Sequence, residues 1–376
     1  MMELFDFIQQ LFTDYTSRTI GLGTIVLGIV SGVLGSYAVL RRQSLLGDAI
    51  AHAALPGIAI TFLILGVKDS FLFLIGAIIT GVIGTLWIMG ITRFTKIKTD
   101  TALGIILTVF FGFGIVLLTL IQQMDNANQA GLEDYLFGQA ATLMEEDVII
   151  MASLGGLSLL VVGIFWKELK LLTFDPQYAK TLGFNTRFLD VLITSLIVIA
   201  IVLGLQTVGV VLMSAMLLAP AAAARQWTNK MGVMIILAAF FGALAGITGT
   251  AISASMANMS TGPTIVMVAV ILVVLSFIFS PIRGLLFRKI RELKSRKTLR
   301  KSKTLSVMYQ VAINHENYDH PHSFQLLNNF RGFHKSCIRE LRNEGYIAVT
   351  PDNQWKLTKK GFEEAQNLYV QKNESP

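Results

Sequence analysis

Residues 43–57 read QSLLGDAIAHAALPG, an apolar stretch that carries one carboxylate, Asp48, and one imidazole, His52. Residues four positions apart lie on one face of a helix, one turn apart. Ionisable side chains in a membrane-spanning helix face a bundle interior or a water-filled path, because exposing them to lipid is costly. One carboxylate oxygen and one imidazole nitrogen make half of a site for a divalent transition metal. The stretch therefore predicts a metal-ion path through a membrane.

An alternative is that Asp48 and His52 pair with each other and simply orient two helices. Pro56 adds a local feature, because it cannot donate a hydrogen bond to the carbonyl of His52, four residues earlier. We expect a bend there, with a free backbone oxygen beside the two side chains, unless a neighbouring helix satisfies that oxygen.

Composition indicates an all-α polytopic membrane protein with a soluble appendage. The 376 residues are 53% hydrophobic and 15% charged, with a mean hydropathy of +0.62. The segment 191–224 is uncharged and longer than the ~20 residues of one crossing, so we expect Gly204-Leu205-Gln206-Thr207 to divide it into two spans. About nine spans are predicted, at 19–40, 44–66, 71–91, 101–121, 148–166, two within 191–224, 232–256 and 264–282.

Basic residues concentrate in alternate loops. By the positive-inside rule, this asymmetry predicts a multi-pass protein with its N-terminus outside and its C-terminus in the cytoplasm. Eight spans with a re-entrant segment are the alternative. The predicted outer segments hold only Arg18 and Lys68, whereas the inner loops hold Arg41, Arg42, Arg93, Lys96, Lys98, Lys167, Lys170, Lys180, Arg187, Arg225 and Lys230.

The predicted inner loop 167–190 contains the signals of a short, well-delimited helix. Asp175 suits an N-cap, Pro176 suits the first helical turn, and Gly183 suits the C-terminal cap. We therefore expect a short cytoplasmic helix between two spans.

The predicted outer segment 122–147 is acidic and lacks Lys and Arg. It could dock a basic face of an external partner or gather cations, or it could be an ordinary solvated loop. Its acids are Asp125, Glu133, Asp134, Glu145, Glu146 and Asp147.

The stretch 47–57 resembles the signature of the ABC-3 family of manganese, zinc and iron ABC-importer permeases. Further similarity lies in Asp175-Pro176 with Leu182-Gly183, in LMSAMLLAPA at 212–221 and in STGPT at 260–264. The resemblance covers about residues 15–285. Ala51 stands where a serine is usual in the family.

This resemblance implies a type II ABC importer permease-like fold in a bacterial plasma membrane. It implies that Asp48 and His52 line the metal path, and that a second permease subunit, in a homodimer or heterodimer, supplies two more ligands. Such a ligand set suits manganese and tolerates zinc or iron. No permanently bound cofactor is implied, only the transported ion.

The resemblance also implies partners for energy and delivery. A cytoplasmic ABC ATPase dimer would hydrolyse ATP, which agrees with the lack of a Walker-type motif in this chain, and an extracytoplasmic metal-binding protein would deliver the ion. In the family, the coupling helix stands at the place occupied here by Asp175, Pro176, Ala179, Leu182 and Gly183.

The tail sets this chain apart from the simplest family members. Residues 283–303 contain ten Lys or Arg and one acid, Glu292, which predicts an anchor to anionic membrane lipid. We expect three domains: a permease at 1–285, a basic linker at 286–303 and a cytoplasmic α+β domain at 304–376. In the last, helices are predicted at 304–314, 323–329, 333–344 and 358–371, and strands at 346–349 and 354–357.

The 304–376 segment resembles winged-helix domains of the metalloregulator type. It contains eight basic and eight acidic residues, so DNA is not an expected partner and a regulatory or protein-binding module is favoured. His320 and His322 are close in sequence and are candidates for a weak regulatory metal site, with scattered surface histidines as the alternative. Cys337 is the sole cysteine, which excludes an internal disulfide.

Competing functions remain. The leading one is the permease of a metal-ion importer. Manganese is the favoured metal, and a heterodimer is the favoured assembly. Zinc or iron import and import of a siderophore or cobalamin are alternatives, although the narrow Asp48–His52 pair favours a bare ion. An intramembrane enzyme is disfavoured by the lack of an H-E-x-x-H motif, and a membrane-tethered transcription regulator by the neutral tail.

Overall fold

The computed structural model describes residues 15–66, 69–124, 138, 143–256, 259–313, 319–327, 330 and 333–374. The chain divides into two compact units, Met1–Gly284 and Leu285–Pro376. We call them the membrane unit and the C-terminal unit. Several acids of the predicted outer segment, namely Asp125, Glu133 and Asp134, lie outside the described residues.

The described part of the membrane unit contains nine helices that are long and apolar enough to cross a membrane, which confirms the predicted fold class. Two shorter helices, α6 (Trp166–Phe174) and α7 (Pro176–Thr181), lie between the fifth and sixth spans. The nine are α1 (Tyr15–Leu40), α2 (Leu46–Leu65), α3 (Ser70–Phe94), α4 (Thr99–Gln122), α5 (Glu145–Ile164), α8 (Thr186–Val208), α9 (Val210–Trp227), α10 (Met231–Ser255) and α11 (Thr261–Phe279).

Helices α1 and α10 approach each other at backbone distance. A Cβ atom at Gly28 would overlap the carbonyl oxygen of Gly242, and one at Gly246 would lie 2.6 Å from the carbonyl oxygen of Thr24. Small residues four positions apart allow such close crossings of membrane helices, which gain van der Waals contact where lipid provides no hydrophobic driving force. The spacing of these glycines therefore allows α1 and α10 to pack together at backbone distance.

The break between the sixth and seventh spans lies at Gly209, not at 204–207 as predicted. Gly209 adopts φ 87° and ψ 165°, a conformation open only to glycine, whereas residues 204–207 are helical. Gly204 and Met213 lie against each other across this turn, so the chain folds back on itself. The division of 191–224 into two spans is thus confirmed, with a single residue as the turn.

Contacts between helix ends sort the loops onto two faces of the bundle, and the nine helices alternate between them. All the basic residues of the predicted inner loops fall on one of these faces. That face is held by the Arg41–Asp190 ion pair and by Arg283 Nη2 donating to Asn229 Oδ1 at 2.8 Å, and the opposite face by Gln206 Nε2 donating to Ser70 Oγ at 3.3 Å.

The C-terminal unit packs helices against a three-stranded antiparallel sheet of order β1-β3-β2. Strands β2 and β3 occupy the predicted places, whereas the two-residue strand β1 was missed. The core contains Leu305, Met308, Leu341, Trp355 and Leu357. The elements are α12 (Leu285–Ile313), β1 (His322–Ser323), α13 (Phe324–Leu327), a 3-10 turn (Lys335–Cys337), α14 (Ile338–Asn343), β2 (Ile347–Val349), β3 (Gln354–Leu357) and α15 (Lys359–Glu374).

Helix α12 takes in the whole of the expected linker. Residues 286–303 are helical and continue without a break into the core residues Leu305 and Met308. Lys297 pairs with Glu340 of α14, and Lys301 pairs with Glu344, the residue after α14. The hydrogen bond that Lys297 donates to Glu340 raises the pKa of Lys297. Lys, Arg and Leu are good helix formers, so a charged run composed largely of these residues can be helical.

Candidate metal site

Asp48 and His52 lie on α2 and differ from all of their neighbours on it. From Leu46 to Ala59, every other residue is buried, while Asp48 and His52 are half-buried. The two polar positions therefore form a narrow open stripe on a stretch of helix, Leu46–Ala59, whose other residues are buried. A polar stripe of this kind fits an aqueous or ion-lined path better than a lipid contact.

The glycines of the 47–57 stretch bring neighbouring helices close to α2. A Cβ atom at Gly47 would lie 3.0 Å from the Cα atom of Ser214 on α9, and one at Gly57 would overlap the carbonyl oxygen of Gly76 on α3. Sequence reasoning assigned no role to these residues. The signal was present, since glycines and alanines repeated along a span are typical of helix packing in membranes.

Helix α2 runs through Pro56 to Leu65 without a break. Gly114 of α4 packs there, and a Cβ atom on it would lie 2.9 Å from Leu55 Cβ and 3.2 Å from Pro56 Cδ. Pro56 therefore does not end the helix. Its actual end is Gly66, at φ 66°, whose N–H donates to the carbonyl of Phe62 at 2.8 Å.

The His52 ring is held edge-on against Phe111 of α4, with ring centroids 4.6 Å apart and an interplanar angle of 68°. His52 Nδ1 is buried and has no hydrogen-bond partner within the described residues. In the same part of the chain, neither a hydrogen bond nor an ion pair joins His52 to Asp48. Direct pairing of the two side chains, the alternative from sequence, is therefore not observed.

The pair is half of a metal site by ligand count. Among the described residues, no three His, Cys, Asp or Glu side chains lie close enough together to hold a metal ion. Protein metal sites usually take three or four protein ligands. A site built on Asp48 and His52 needs further ligands from outside this chain or from water.

The short helix α7 forms where it was expected. Asp175 accepts a hydrogen bond from the Tyr178 N–H at 2.9 Å, Pro176 is the first helical residue, and Gly183 follows the helix at φ 85°. Ala179 is buried and anchors the helix, while Leu182 is exposed. The helix lies on the basic face of the bundle. It and the residues on either side of it expose apolar side chains, namely Phe174, Tyr178, Leu182 and Phe184.

In the C-terminal unit His322 is the first residue of β1, and His320 precedes it by two residues; their ring centroids are 5.2 Å apart. The buried His322 ring packs against Trp355 at 5.0 Å, and Asp319 pairs with Lys356 at 2.8 Å. No third ligand joins the two histidines within the described residues. A role in packing accounts for His322.

Comparison with known proteins identifies the family. The family described as "ABC 3 transport family" matches residues 14–280, which are most of the chain. The chain belongs to the ABC 3 transport family. It is therefore a multi-pass membrane protein of the transporter permease type.

Relatives in this ABC 3 family cover the membrane unit at high identity. The zinc transport system membrane protein TroC of Treponema pallidum is 48% identical over 281 residues, covering 75% of this chain and 94% of the relative. A solved structure, PsaBC from Streptococcus pneumoniae in complex with Fab, is similar at a TM-score of 0.67 and 35% identity, over 76% of this chain and 99% of that chain.

A third relative shares more of the chain. The manganese transport system membrane protein MntC of Bacillus subtilis is 43% identical over 348 residues, covering 91% of this chain and 79% of the relative. This alignment is longer than the membrane unit, Met1–Gly284. The C-terminal unit is therefore shared, at least in part, with one ABC 3 relative.

Proposed function

We propose that this chain is the permease subunit of an ATP-driven importer of Mn²⁺, and that Asp48 and His52 bind the ion during its passage. The observation that carries the proposal is the open polar stripe on α2, since Asp48 and His52 are its only half-buried positions between Leu46 and Ala59. A carboxylate and an imidazole one turn apart can bind the same divalent ion.

The ligand count favours a pair of permeases. Two copies of the Asp48–His52 stripe, facing each other, would supply two carboxylates and two imidazoles, whereas one copy supplies half of that set. The pair is a heterodimer or homodimer; the tailed form of this chain favours a heterodimer with a second permease.

Manganese is the favoured cargo. Hard carboxylate oxygens with neutral imidazoles suit Mn²⁺ and accept Fe²⁺ or Zn²⁺ as competitors. The name of the relative that matches the tail as well as the membrane unit refers to manganese, and that of TroC refers to zinc. The ion is substrate, not a resident cofactor.

Energy would come from a separate ABC ATPase dimer on the cytoplasmic side. Helix α7 supports this assignment because it is capped at both ends, anchored by Ala179 and apolar on its outer surface at Tyr178 and Leu182. The basic face that carries α7 is then the cytoplasmic one, and an external metal-binding protein would dock on the opposite face.

Metal uptake in a transport-deficient bacterial host tests the assignment. With the partner subunits co-expressed, Asp48→Asn and His52→Ala should each abolish Mn²⁺ uptake at normal membrane expression, because each removes a direct ligand of the ion. Loss of an outer-shell partner alone typically costs 10–100-fold in metal affinity, so loss of a ligand should cost at least about 100-fold.

The matched control is Asp69→Asn. Asp69 is the N-cap residue before the start of α3, where its side chain accepts a hydrogen bond from the Leu72 N–H at 2.9 Å. Asparagine caps helices equally well. The control should transport normally. Normal uptake by Asp48→Asn would refute the metal-path assignment, and preference for Zn²⁺ in a competition assay would correct the cargo.

A further inference from the structure

The first half of α12 has an apolar side that the described residues of its own unit leave largely exposed. Leu286, Ile290 and Leu293 are spaced by four and three residues, so they lie along one side of the helix. Their exposed fractions are 46%, 50% and 59%. Further along the same side, from Lys297 onward, α12 is covered by ion pairs to α14 and then by the core of the unit.

Cations flank this apolar side. At 100° per residue, Lys289 and Lys294 lie roughly 70° to either side of the line through Leu286, Ile290 and Leu293. Both lysines are exposed. The whole stretch 285–303 holds nine Lys or Arg and one acid. An apolar line bordered by lysines is typical of helices that lie in a bilayer interface, where the stems of the lysines stay in the apolar layer and the ammonium groups reach the phosphates.

The position of the helix in the chain fits the same partner. Five residues, 280–284, separate the end of α11 from the start of α12, and such a connection reaches at most about 18 Å. The span α11 ends on the basic face of the bundle, which by the positive-inside rule borders the leaflet with anionic lipid. The phosphates of duplex DNA would bind the cations, but they would leave the three exposed aliphatic side chains in water.

We propose that residues 285–296 of α12 lie in the interface of an anionic bilayer leaflet, with Leu286, Ile290 and Leu293 inserted and Lys289 and Lys294 at the phosphates. Because α12 continues unbroken into the core of the C-terminal unit, the anchored segment also holds that unit at the membrane surface. The proposal is independent of metal transport.

Depth-dependent fluorescence quenching tests the proposal in the full chain. Cys337→Ser removes the sole cysteine, and Ile290→Cys then carries one environment-sensitive fluorophore. Ser295→Cys is the matched control on the opposite side of the helix, five residues further along, and Ser295 is also exposed. The labelled proteins are reconstituted in nanodiscs of phosphatidylcholine with phosphatidylglycerol, with and without brominated acyl chains.

We expect brominated lipid to quench the probe at 290 and not the probe at 295. The double substitution Lys289→Glu and Lys294→Glu should lower the lipid-bound population of the 290 probe by roughly 25-fold or more. Each cation removed should weaken the binding equilibrium about fivefold. Arg339→Glu with Arg342→Glu, which makes the same charge change on α14, should leave the quenching unchanged.

Three results would overturn the proposal. One is equal quenching, or none, at the two positions. Another is self-quenching between 290 probes that persists when the protein is moved from anionic lipid into detergent, which would assign the apolar side to a second copy of the chain. The third is protection of the 290 probe by duplex DNA and not by anionic lipid.

Discussion

The substitution Gly57→Ala is the most direct test of the packing around α2. A methyl group at this position would overlap the carbonyl oxygen of Gly76 and the hydroxyl of Thr80 on α3. The first of these is a backbone atom, so no side-chain rotation relieves the contact and α2 must move away from α3. Forcing an extra methyl group into a closely packed site typically costs 1–3 kcal/mol.

The matched control is Gly112→Ala on α4. It is the same chemical change in a span, but no atom of the described residues lies within 4 Å of the added methyl group. Alanine is the better helix former by up to about 1 kcal/mol in water, so the control should be neutral or stabilising.

The assay is thermal unfolding of both purified variants in one detergent. At roughly 2 °C for each kcal/mol in a chain of this size, Gly57→Ala should lower Tm by about 2–6 °C, and Gly112→Ala should not lower it. Mn²⁺ uptake should fall with the first variant alone, because α2 carries Asp48 and His52. Equal Tm values for the two variants would refute the packing argument.

Three further perturbations probe other elements. Gly209→Ala should destabilise the membrane unit by about 1–3 kcal/mol, because the conformation at φ 87° and ψ 165° is strained for alanine; an unchanged Tm would contradict the one-residue turn. Leu182→Asp should reduce transport-coupled ATP hydrolysis in the reconstituted complex while Tm stays unchanged, because the side chain is exposed; wild-type ATPase stimulation would show that α7 is not the coupling contact. Trp355→Ala should cost about 3–5 kcal/mol in the C-terminal unit, since the side chain is fully buried, and should make that unit sensitive to limited proteolysis while α1–α11 stay intact; resistance like that of the wild type would argue against the assigned core.

The sequence predicted the span count because length and hydropathy decide it locally. Eight apolar runs, of which 191–224 is long enough for two crossings, became nine helices within the described residues. The start of α7 was predictable for the same reason, since Asp175 and Pro176 act on the helical turn that directly follows them. For the same reason Asp48 and His52 could be placed on one helix face from their spacing alone.

Other features depend on partners distant in sequence. Gly204 and Gly209 are equivalent as potential turns, and only the packing of the folded-back helices selects Gly209. The role of Gly57 requires knowing that Gly76 faces it. The strand β1 is two residues long and is defined by pairing with Gln354 and Trp355 of β3. The helical state of 286–303 was missed because a charged run was interpreted by its charge and not by its helix propensity.

The α1–α10 crossing has a consequence for biogenesis. Gly28 emerges from the ribosome roughly 200 residues before Gly242, and at 5–20 residues per second the delay is about 10–40 s. During that time the surface of α1 that carries Gly28 has no partner helix, although α1 can already pack against α5 through Val30 and Gly155. Chains that stop before α10 would keep that surface open, which marks them for the membrane proteases that remove unassembled helices.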